Sequence, residues 1–144
     1  MDGVTRFAGA PIVPGSASGA ALATDVPLSL WGGLDPDTGE VIDRRHPLAG
    51  QIVSARVLVM PAGRGSCTAS GVLLEAIRHG VAPAAIVLSR PDPIIGLGAI
   101  LGDELYGRTV PVVVLDEAER AMIRPNAWVA VAPDGTVTID GRRT

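Results

Sequence analysis

Short apolar runs along this chain are separated by turns rich in glycine and proline, and the pattern changes near residue 57. Before that point the pattern predicts four extended segments, at residues 7–13, 18–23, 26–31 and 40–43. The sequence Asp35-Pro36-Asp37-Thr38-Gly39 is a strong turn signal, because Pro, Asp and Gly each favour turn conformations. The first part of the chain is therefore predicted to be rich in β-structure.

After that point, apolar strand patterns alternate with helical patterns. The predicted strands are residues 57–60, 84–88 and 110–115, and the predicted helices are residues 69–79, 94–105 and 117–123. Gly80 suits the C′ position of the first helix, whereas Gly96 and Gly98 weaken the prediction of the second. A hairpin is predicted from residues 128–131 and 137–139. The βαβαβα order indicates parallel strands joined by right-handed crossovers.

Length and composition indicate one α/β domain spanning residues 1–144. The apolar fraction is 47%, with 18 glycines, which is rich for a soluble chain. The aromatic residues are Phe7, Trp31, Tyr106 and Trp128. With so few aromatic rings, the core is predicted to be aliphatic.

Charge and cysteine content exclude several classes of protein. All 12 basic residues are arginine, so a mechanism that needs a Schiff-base lysine or a P-loop lysine is excluded. The net charge is −3 and the arginines are scattered, which argues against nucleic-acid binding. The single cysteine, Cys67, excludes an internal disulfide. These features, without a signal-peptide pattern or a membrane-length apolar run, lead us to expect a cytoplasmic protein.

The loop at residues 61–70 follows a predicted strand and runs into the start of a predicted helix, and it contains the main candidates for chemistry. Backbone N–H groups and the positive end of a helix dipole favour negative charge at such a place, and Arg64 adds a fixed cation. Ser66 is either a helix N-cap, a task that Thr68 or Ser70 could share, or a reactive hydroxyl. Arg64 either binds a carboxylate or phosphate with two hydrogen bonds or is a solvated loop residue.

Other polar residues are assigned structural roles. Cys67 is expected to be a small buried residue or to line a pocket, and His46 to be a surface loop residue rather than a ligand. His79 is expected to be structural, since a helix C-terminus favours positive charge. Asp35, Asp37 and Asp43 are candidates for a metal site, but a turn is favoured because their spacing does not match an EF-hand loop.

Several motifs in register resemble one known family. Residues 27–39, PLSLWGGLDPDTG, resemble the segment PLSFWGGVDPxTG of the aconitase X small subunit. Residues 61–66, PAGRGS, resemble the P-x-G-R/K-G-S loop of that family. The match continues, in order, at residues 46–51, 80–86 and 98–100. The resemblance covers nearly the whole chain.

The resemblance implies a single swivelling β/β/α domain similar to the mobile domain of aconitase. It implies a larger partner subunit that carries an iron–sulfur cluster, with no cluster ligands expected from this chain. The activities implied are dehydrations of small hydroxy acids, either cis-3-hydroxy-L-proline or mevalonate 5-phosphate. The resemblance makes Ser66 the proton acceptor, and we expect Arg64, Gly65, Cys67 and Thr68 to bind the substrate.

Two other functions stay open at this point. A phosphohistidine swivelling domain has a similar architecture but needs histidine directly after the loop serine, where this chain has Cys67. The second alternative is a domain that binds a small carboxylate without catalysing a reaction. Among substrates, cis-3-hydroxy-L-proline is preferred, because the lysine-free composition suggests a GC-rich bacterium and the phosphate substrate belongs mainly to archaea.

Overall fold

The fold was obtained as a computed structural model, which describes residues 3–64 and 67–141. The strands of the described part are β1 Val4–Ala8, β2 Ala10–Val13, β3 Ala17–Ala23, β4 Val57–Val59, β5 Ala85–Leu88, β6 Val112–Val114, β7 Trp128–Val131 and β8 Thr136–Asp140. The helices are α1 Leu30–Gly33, α2 Ala69–Arg78, α3 Pro93–Tyr106 and α4 Glu117–Ala121. The predicted order of strands and helices after residue 57 is confirmed.

One sheet of eight strands contains every strand, in the order β1-β8-β7-β3-β4-β5-β6-β2. Strands β4, β5 and β6 are parallel neighbours, as predicted for the alternating second part of the chain, and β3 from the first part joins them parallel to β4. Strand β3 pairs with two strands. Residues 17–20 pair antiparallel with β7, and residues 21–23 pair parallel with β4. The predicted hairpin is present as β7 and β8.

The first predicted strand, residues 7–13, is wrong, because Gly9 divides it into β1 and β2. These two strands lie at opposite ends of the sheet order, so the sheet bends around until its ends are neighbours. A Cβ at Gly9 would lie 2.5 Å from Val113 Cγ2 and 2.7 Å from the Gly135 carbonyl oxygen. Only glycine therefore fits where the two end strands meet.

The segments predicted as strands at residues 26–31 and 40–43 form isolated bridges instead. Leu28 pairs with Gly63, Leu34 with Val41, and Glu40 with Ile52. Turns interrupt longer pairing, since the chain reverses at Gly39 and Gly50, whose φ angles are +79° and +86°. Residues 24–56 therefore form an irregular layer that leaves the carboxyl end of β3, passes His79 at the end of α2 and returns to the start of β4.

The core is aliphatic, as the composition predicts. The largest fully buried side chains are Leu28, Leu30, Leu58, Met60, Leu73, Ile77, Ile86, Leu88, Ile95, Leu115, Val41 and Val53. One cluster lies between the sheet and helices α2 and α3, and a second lies on the other face of the sheet. The sheet is thus buried on both faces, which is typical of a sheet with parallel strands.

Helices α2 and α3 pack closely because α3 has glycines on the facing side. A Cβ at Gly98 would lie 2.7 Å from the Ser70 carbonyl oxygen, and one at Gly102 would lie 2.5 Å from Ile77 Cδ1. Asp92 caps the N-terminus of α3, and Gly107 ends it with a φ of +65°. The contact explains why glycines, which weaken helices, occur in this one. No helix in the described ranges is long and apolar enough to cross a bilayer.

Candidate active site at the carboxyl ends of the parallel strands

The carboxyl ends of β3, β4, β5 and β6 lie at one edge of the sheet, and the loops that follow them meet there. In sheets with parallel strands, ligands bind at this edge. The loop predicted to carry chemistry follows β4, so the topology places it at this edge. Gly65 and Ser66, two of the predicted site residues, lie outside the described residues.

The start of this loop is held by its neighbours. The Pro61 carbonyl oxygen accepts hydrogen bonds from the Ser89 N–H at 3.0 Å and the Arg90 N–H at 3.1 Å. The Ser89 hydroxyl lies 3.2 Å from the same oxygen. Two residues later, Gly63 bridges Leu28 in a parallel arrangement. The backbone that leads into Arg64 is therefore fixed by the end of β5 and by the irregular layer.

Helix α2 begins at Ala69, and its N-cap is Thr68, whose side chain makes no capping hydrogen bond. Thr68, one of the three candidate caps in the sequence, therefore holds the N-cap position. The Ser70 hydroxyl donates to the Cys67 carbonyl oxygen at 2.9 Å. Cys67 is exposed, so the prediction that it is buried is wrong. It occupies the turn before α2.

Arg64 is exposed and lines two neighbouring cavities. The smaller has a volume of about 130 Å³ and is also lined by Gly63, Asp92 and Ile95. The larger has a volume of about 370 Å³, and its lining includes Arg45. Cys67 and Thr68 are exposed beside them and belong to the lining of neither. Of the predicted site residues that the structure describes, only Arg64 therefore faces both cavities.

The smaller cavity depends on a close approach between the loop and α3. Asp92 Oδ1 accepts hydrogen bonds from the N–H groups of Ile94 at 3.0 Å and Ile95 at 3.1 Å. A Cβ at Gly63 would lie 2.6 Å from Asp92 Oδ2 and 2.8 Å from Ile95 Cδ1. Glycine at this position lets the loop pass beside the Asp92 carboxylate. Sequence reasoning missed Asp92, although Asp before Pro at a helix start is a recognisable capping signal.

His46 lines the larger cavity and is only 6% exposed, so its predicted surface role is wrong. Its Nδ1 accepts a hydrogen bond from the Leu48 N–H at 3.0 Å, which leaves Nε2 to donate to the Val26 carbonyl oxygen at 3.0 Å. The ring joins two parts of the irregular layer. Its polar neighbours in sequence, Arg44 and Arg45, gave no sign of this burial.

Arg120 is another buried polar residue near the site, with 2% of its surface exposed. It donates to the Thr24 carbonyl oxygen at 3.0 Å, to Asp25 Oδ1 at 3.1 Å, and to both carboxylate oxygens of Glu117. Glu117 also accepts a 2.6 Å hydrogen bond from the Ser89 hydroxyl. The hydrogen bonds from Arg120 and then from Ser89 lower the pKa of Glu117 to about 2. This network ties α4 to the ends of β3 and β5.

Metal binding finds no support in the described part of the chain, where no group of three or more His, Cys, Asp or Glu residues is placed to hold an ion. Asp35 instead forms the predicted turn, accepting a hydrogen bond from the Asp37 N–H at 2.9 Å. His79 is the C-cap of α2. Its Nε2 lies 3.1 Å from Glu75 Oε1 and 3.2 Å from Asp37 Oδ1. Its predicted structural role at the end of the helix is confirmed.

The architecture, a bent sheet with two helices on one face and a glycine loop at the carboxyl edge, defines a β/β/α domain. Residues 6–139 match the family model described as the aconitase X swivel domain. The chain belongs to this family, as its motifs indicated.

Solved structures support the same assignment. The aconitase X of Thermococcus kodakaraensis (holo-form) matches with a TM-score of 0.84 and 32% identity, covering 94% of this chain and 98% of that chain. The predicted fold class, a swivelling β/β/α domain, is confirmed by this match. A solution NMR structure of a UPF0107 protein matches with a TM-score of 0.81 and 36% identity, covering 92% and 97% of the two chains.

Curated relatives fall into two groups. Cis-3-hydroxy-L-proline dehydratase of Pseudomonas aeruginosa is 56% identical over 74% of this chain, and that of Hypocrea jecorina is 42% identical over 93%. This chain spans only 18% and 22% of the lengths of these two proteins. The phosphomevalonate dehydratase small subunit of Methanothrix thermoacetophila is 37% identical, over 87% of this chain and 93% of that subunit.

Proposed function

We propose that this chain is the small subunit of an aconitase X-type dehydratase, a hydro-lyase that removes water from a small hydroxy acid. One observation carries the proposal: the family loop with Arg64 lies at the carboxyl edge of the parallel strands, where it lines two cavities. Arginine is suited to the carboxylate of such a substrate because it donates two parallel hydrogen bonds.

Ser66 is proposed as the proton acceptor. Its oxygen takes the proton from the carbon beside the substrate carboxylate, while the neighbouring carbon loses its hydroxyl together with the bonding electron pair. A carbon–carbon double bond remains, the departing hydroxide takes up a proton from solvent to become water, and Ser66 returns to its starting form when it releases its proton to solvent. Serine is a base only when negative charge on its oxygen is stabilised, and each unit of pKa depression needs about 1.4 kcal/mol of differential stabilisation. The N–H groups that begin α2 and the charge of Arg64 are suited to supply part of this.

A larger partner subunit is part of the proposal. The described residues do not fit an iron–sulfur cluster, since no group of metal-ligating side chains is assembled and the single cysteine is exposed. We therefore assign the cluster to the partner. The loop is exposed at Arg64, Cys67 and Thr68. Water weakens its electrostatics, so we expect the isolated chain to be inactive. These three residues and Gly65 are proposed to contact substrate under the partner.

The preferred substrate is cis-3-hydroxy-L-proline. In support, a relative that bears this name is 56% identical over 74% of this chain, whereas phosphomevalonate relatives are 37% identical over 87% of it and 51% identical over only 53% of it. Mevalonate 5-phosphate is the second candidate, and one observation favours it. The larger cavity has two arginines, Arg45 and Arg64, in its lining. A doubly charged phosphate needs such cationic neighbours.

The proposal is tested by co-expressing this chain with the aconitase X large-subunit chain of the same genome, under anaerobic conditions. The purified pair is assayed with both substrates, and we expect turnover of cis-3-hydroxy-L-proline. Ser66→Ala is expected to abolish turnover while the cluster absorbance and the association of the two chains stay unchanged. Ser16→Ala is the matched control, because Ser16 is an exposed residue at the opposite edge of the sheet, before β3.

Three outcomes contradict the proposal at different points. Turnover of the phosphate alone refutes the preferred substrate. Normal turnover by the Ser66→Ala pair refutes the proton acceptor. Failure of the two chains to associate, with neither substrate consumed, leaves the chain as a binding module and refutes the dehydratase.

A further inference from the structure

Arg64 and Asp92 place one positive and one negative side chain on the wall of the same cavity of about 130 Å³. They belong to different elements, since Arg64 follows β4 and Asp92 caps α3. Within residues 3–64 and 67–141, no ion pair joins the two. Neither charge is therefore neutralised by the other, and the cavity offers two opposite charges to a ligand.

The Asp92 carboxylate is held in a fixed orientation. Its Oδ1 accepts the two N–H groups that begin α3, while Oδ2 is on the side of Gly63, one residue before Arg64. Ser, Thr, Asp and Asn all cap helices well, so capping alone does not require a charge here. An aspartate that lines the cavity and whose Oδ2 takes no part in the cap is suited to accept a hydrogen bond from a cationic ligand group.

Size and lining suit a small ring. The rest of the cavity wall is apolar, from Leu30, Ala69, Ile94 and Ile95. An engineered apolar cavity of about 150 Å³ holds one benzene molecule. A volume of about 130 Å³ is therefore near that of a five-membered ring. Such a ring, with a carboxylate and an ammonium group, matches the apolar wall and both charges.

We propose that Asp92 is a specificity-determining residue that binds the ring ammonium group of an amino-acid substrate, while Arg64 binds its carboxylate. The inference rests on the proposed function and deepens it, because it selects zwitterionic hydroxy amino acids over purely anionic hydroxy acids. A substrate that carries a carboxylate and a phosphate gains nothing from Asp92 and is repelled by it. Asp92 thus discriminates between the two substrates that the family offers.

The test compares two inhibitors of the same shape in the assembled pair of subunits. L-proline has the ring ammonium group, and cyclopentanecarboxylate has a methylene in its place. Asp92→Asn keeps the size and the helix cap but removes the charge. We expect the inhibition constant of L-proline and the KM of cis-3-hydroxy-L-proline to rise about 10- to 100-fold. We expect the inhibition constant of cyclopentanecarboxylate to stay within a factor of about 2 of that of the unmodified pair.

Asp116→Asn is the matched control, because Asp116 caps α4 as Asp92 caps α3, by accepting a hydrogen bond from the Glu119 N–H at 2.8 Å. It contributes to neither cavity beside Arg64. The control variant should show the KM and both inhibition constants of the unmodified pair. Thermal unfolding of both variants then separates loss of the cap from loss of the charge.

Failure of this inference is distinct from failure of the proposed function. If the unmodified pair consumes cis-3-hydroxy-L-proline and Asp92→Asn changes both inhibition constants equally, or changes neither, the specificity role is refuted and the dehydratase stands. If the unmodified pair consumes only mevalonate 5-phosphate, both the preferred substrate and the proposed role of Asp92 are refuted.

Discussion

Arg120 holds the carboxylate of Glu117 through two hydrogen bonds, from Nη2 at 2.7 Å and from Nε at 3.1 Å. The two side chains differ in exposure, at 2% for Arg120 and 64% for Glu117. The buried guanidinium also reaches the Thr24 carbonyl oxygen at the end of β3. The same carboxylate accepts a hydrogen bond from the Ser89 hydroxyl, and that hydroxyl also lies 3.2 Å from the Pro61 carbonyl oxygen at the start of the site loop. One arginine therefore connects the ends of two strands to the start of that loop.

Replacing this arginine is expected to destabilise the fold. Arg120→Met keeps much of the apolar stem but leaves the Thr24 carbonyl oxygen without its donor, which costs about 1–3 kcal/mol. Urea unfolding followed by circular dichroism measures the change. Arg78→Met is the control, because Arg78 makes an exposed ion pair with Glu75, and exposed pairs contribute little. Equal urea midpoints for Arg120→Met and Arg78→Met would contradict the claim that the buried arginine stabilises the fold more than the exposed one.

Glu117 is expected to make stability depend on pH in the acid range. The pKa of Glu117 is lowered from 4.5 to about 2, first by the hydrogen bond from Arg120 and then by that from Ser89. Below pH 4.5 the unfolded chain takes up a proton before the folded chain does. The stabilisation is therefore complete above pH 4.5 and is lost as the pH falls toward 2.

Urea midpoints measured between pH 6 and pH 2 check this expectation, and a Glu117→Gln variant should lose stability less steeply over that interval. Ser89→Ala, which removes the second donor, should give an intermediate curve. Some slope will remain, because hydrogen bonds from Arg78 and from the Thr136 N–H lower the pKa values of Glu75 and Asp134 respectively. Identical curves for Glu117→Gln and the unmodified chain would refute the assignment.

Two glycine-to-alanine substitutions are expected to change stability in opposite directions. Gly71 lies within α2 with nothing within 4 Å of an added Cβ, so Gly71→Ala should stabilise by about 0.5–1 kcal/mol through helix propensity. At Gly98 the added Cβ would lie 2.7 Å from the Ser70 carbonyl oxygen, and α2 and α3 would have to separate. Gly98→Ala should therefore destabilise by about 1–3 kcal/mol. Thermal unfolding of both variants measures the contrast, and stabilisation by both would show that the helix contact is looser than described.

Trp31 is expected to report assembly with the proposed partner. Its side chain is 57% exposed, so this large apolar ring is available for contact with a partner. In a Trp128→Phe variant it is the one remaining tryptophan of this chain. Fluorescence should be red-shifted for the isolated chain and should shift to shorter wavelength when a tryptophan-free large subunit is added. An unchanged spectrum on assembly would place Trp31 outside the interface.

Sequence patterns predicted most of the second half of the fold because each strand there is a continuous apolar run between helical repeats. Helix α2 was expected at residues 69–79 and is found at Ala69–Arg78. The division at Gly9 was missed, because its cause is crowding by Val113, more than a hundred positions away. No local pattern contains that contact.

The candidate site was predicted in part for a similar reason. Arg64 stood out because it is a cation in a glycine loop between a strand and a helix, which is a local signal. The burial of His46 and the position of Asp92 beside Gly63 both depend on segments brought together only by folding. The exposed position of Cys67 likewise follows from where α2 begins. The role of Ser66 stays a prediction.

The pairing of β1 with β8 has a consequence for how the molecule forms. Val4 lies opposite Asp140, so the first strand of this domain leaves the ribosome well before the last strand, with which it pairs. Contacts of such separation slow folding, since a long loop must close before they can form. During synthesis of this domain, β1 is thus an unpaired edge strand until β8 is made, and neighbouring nascent chains are expected to aggregate most readily in that interval.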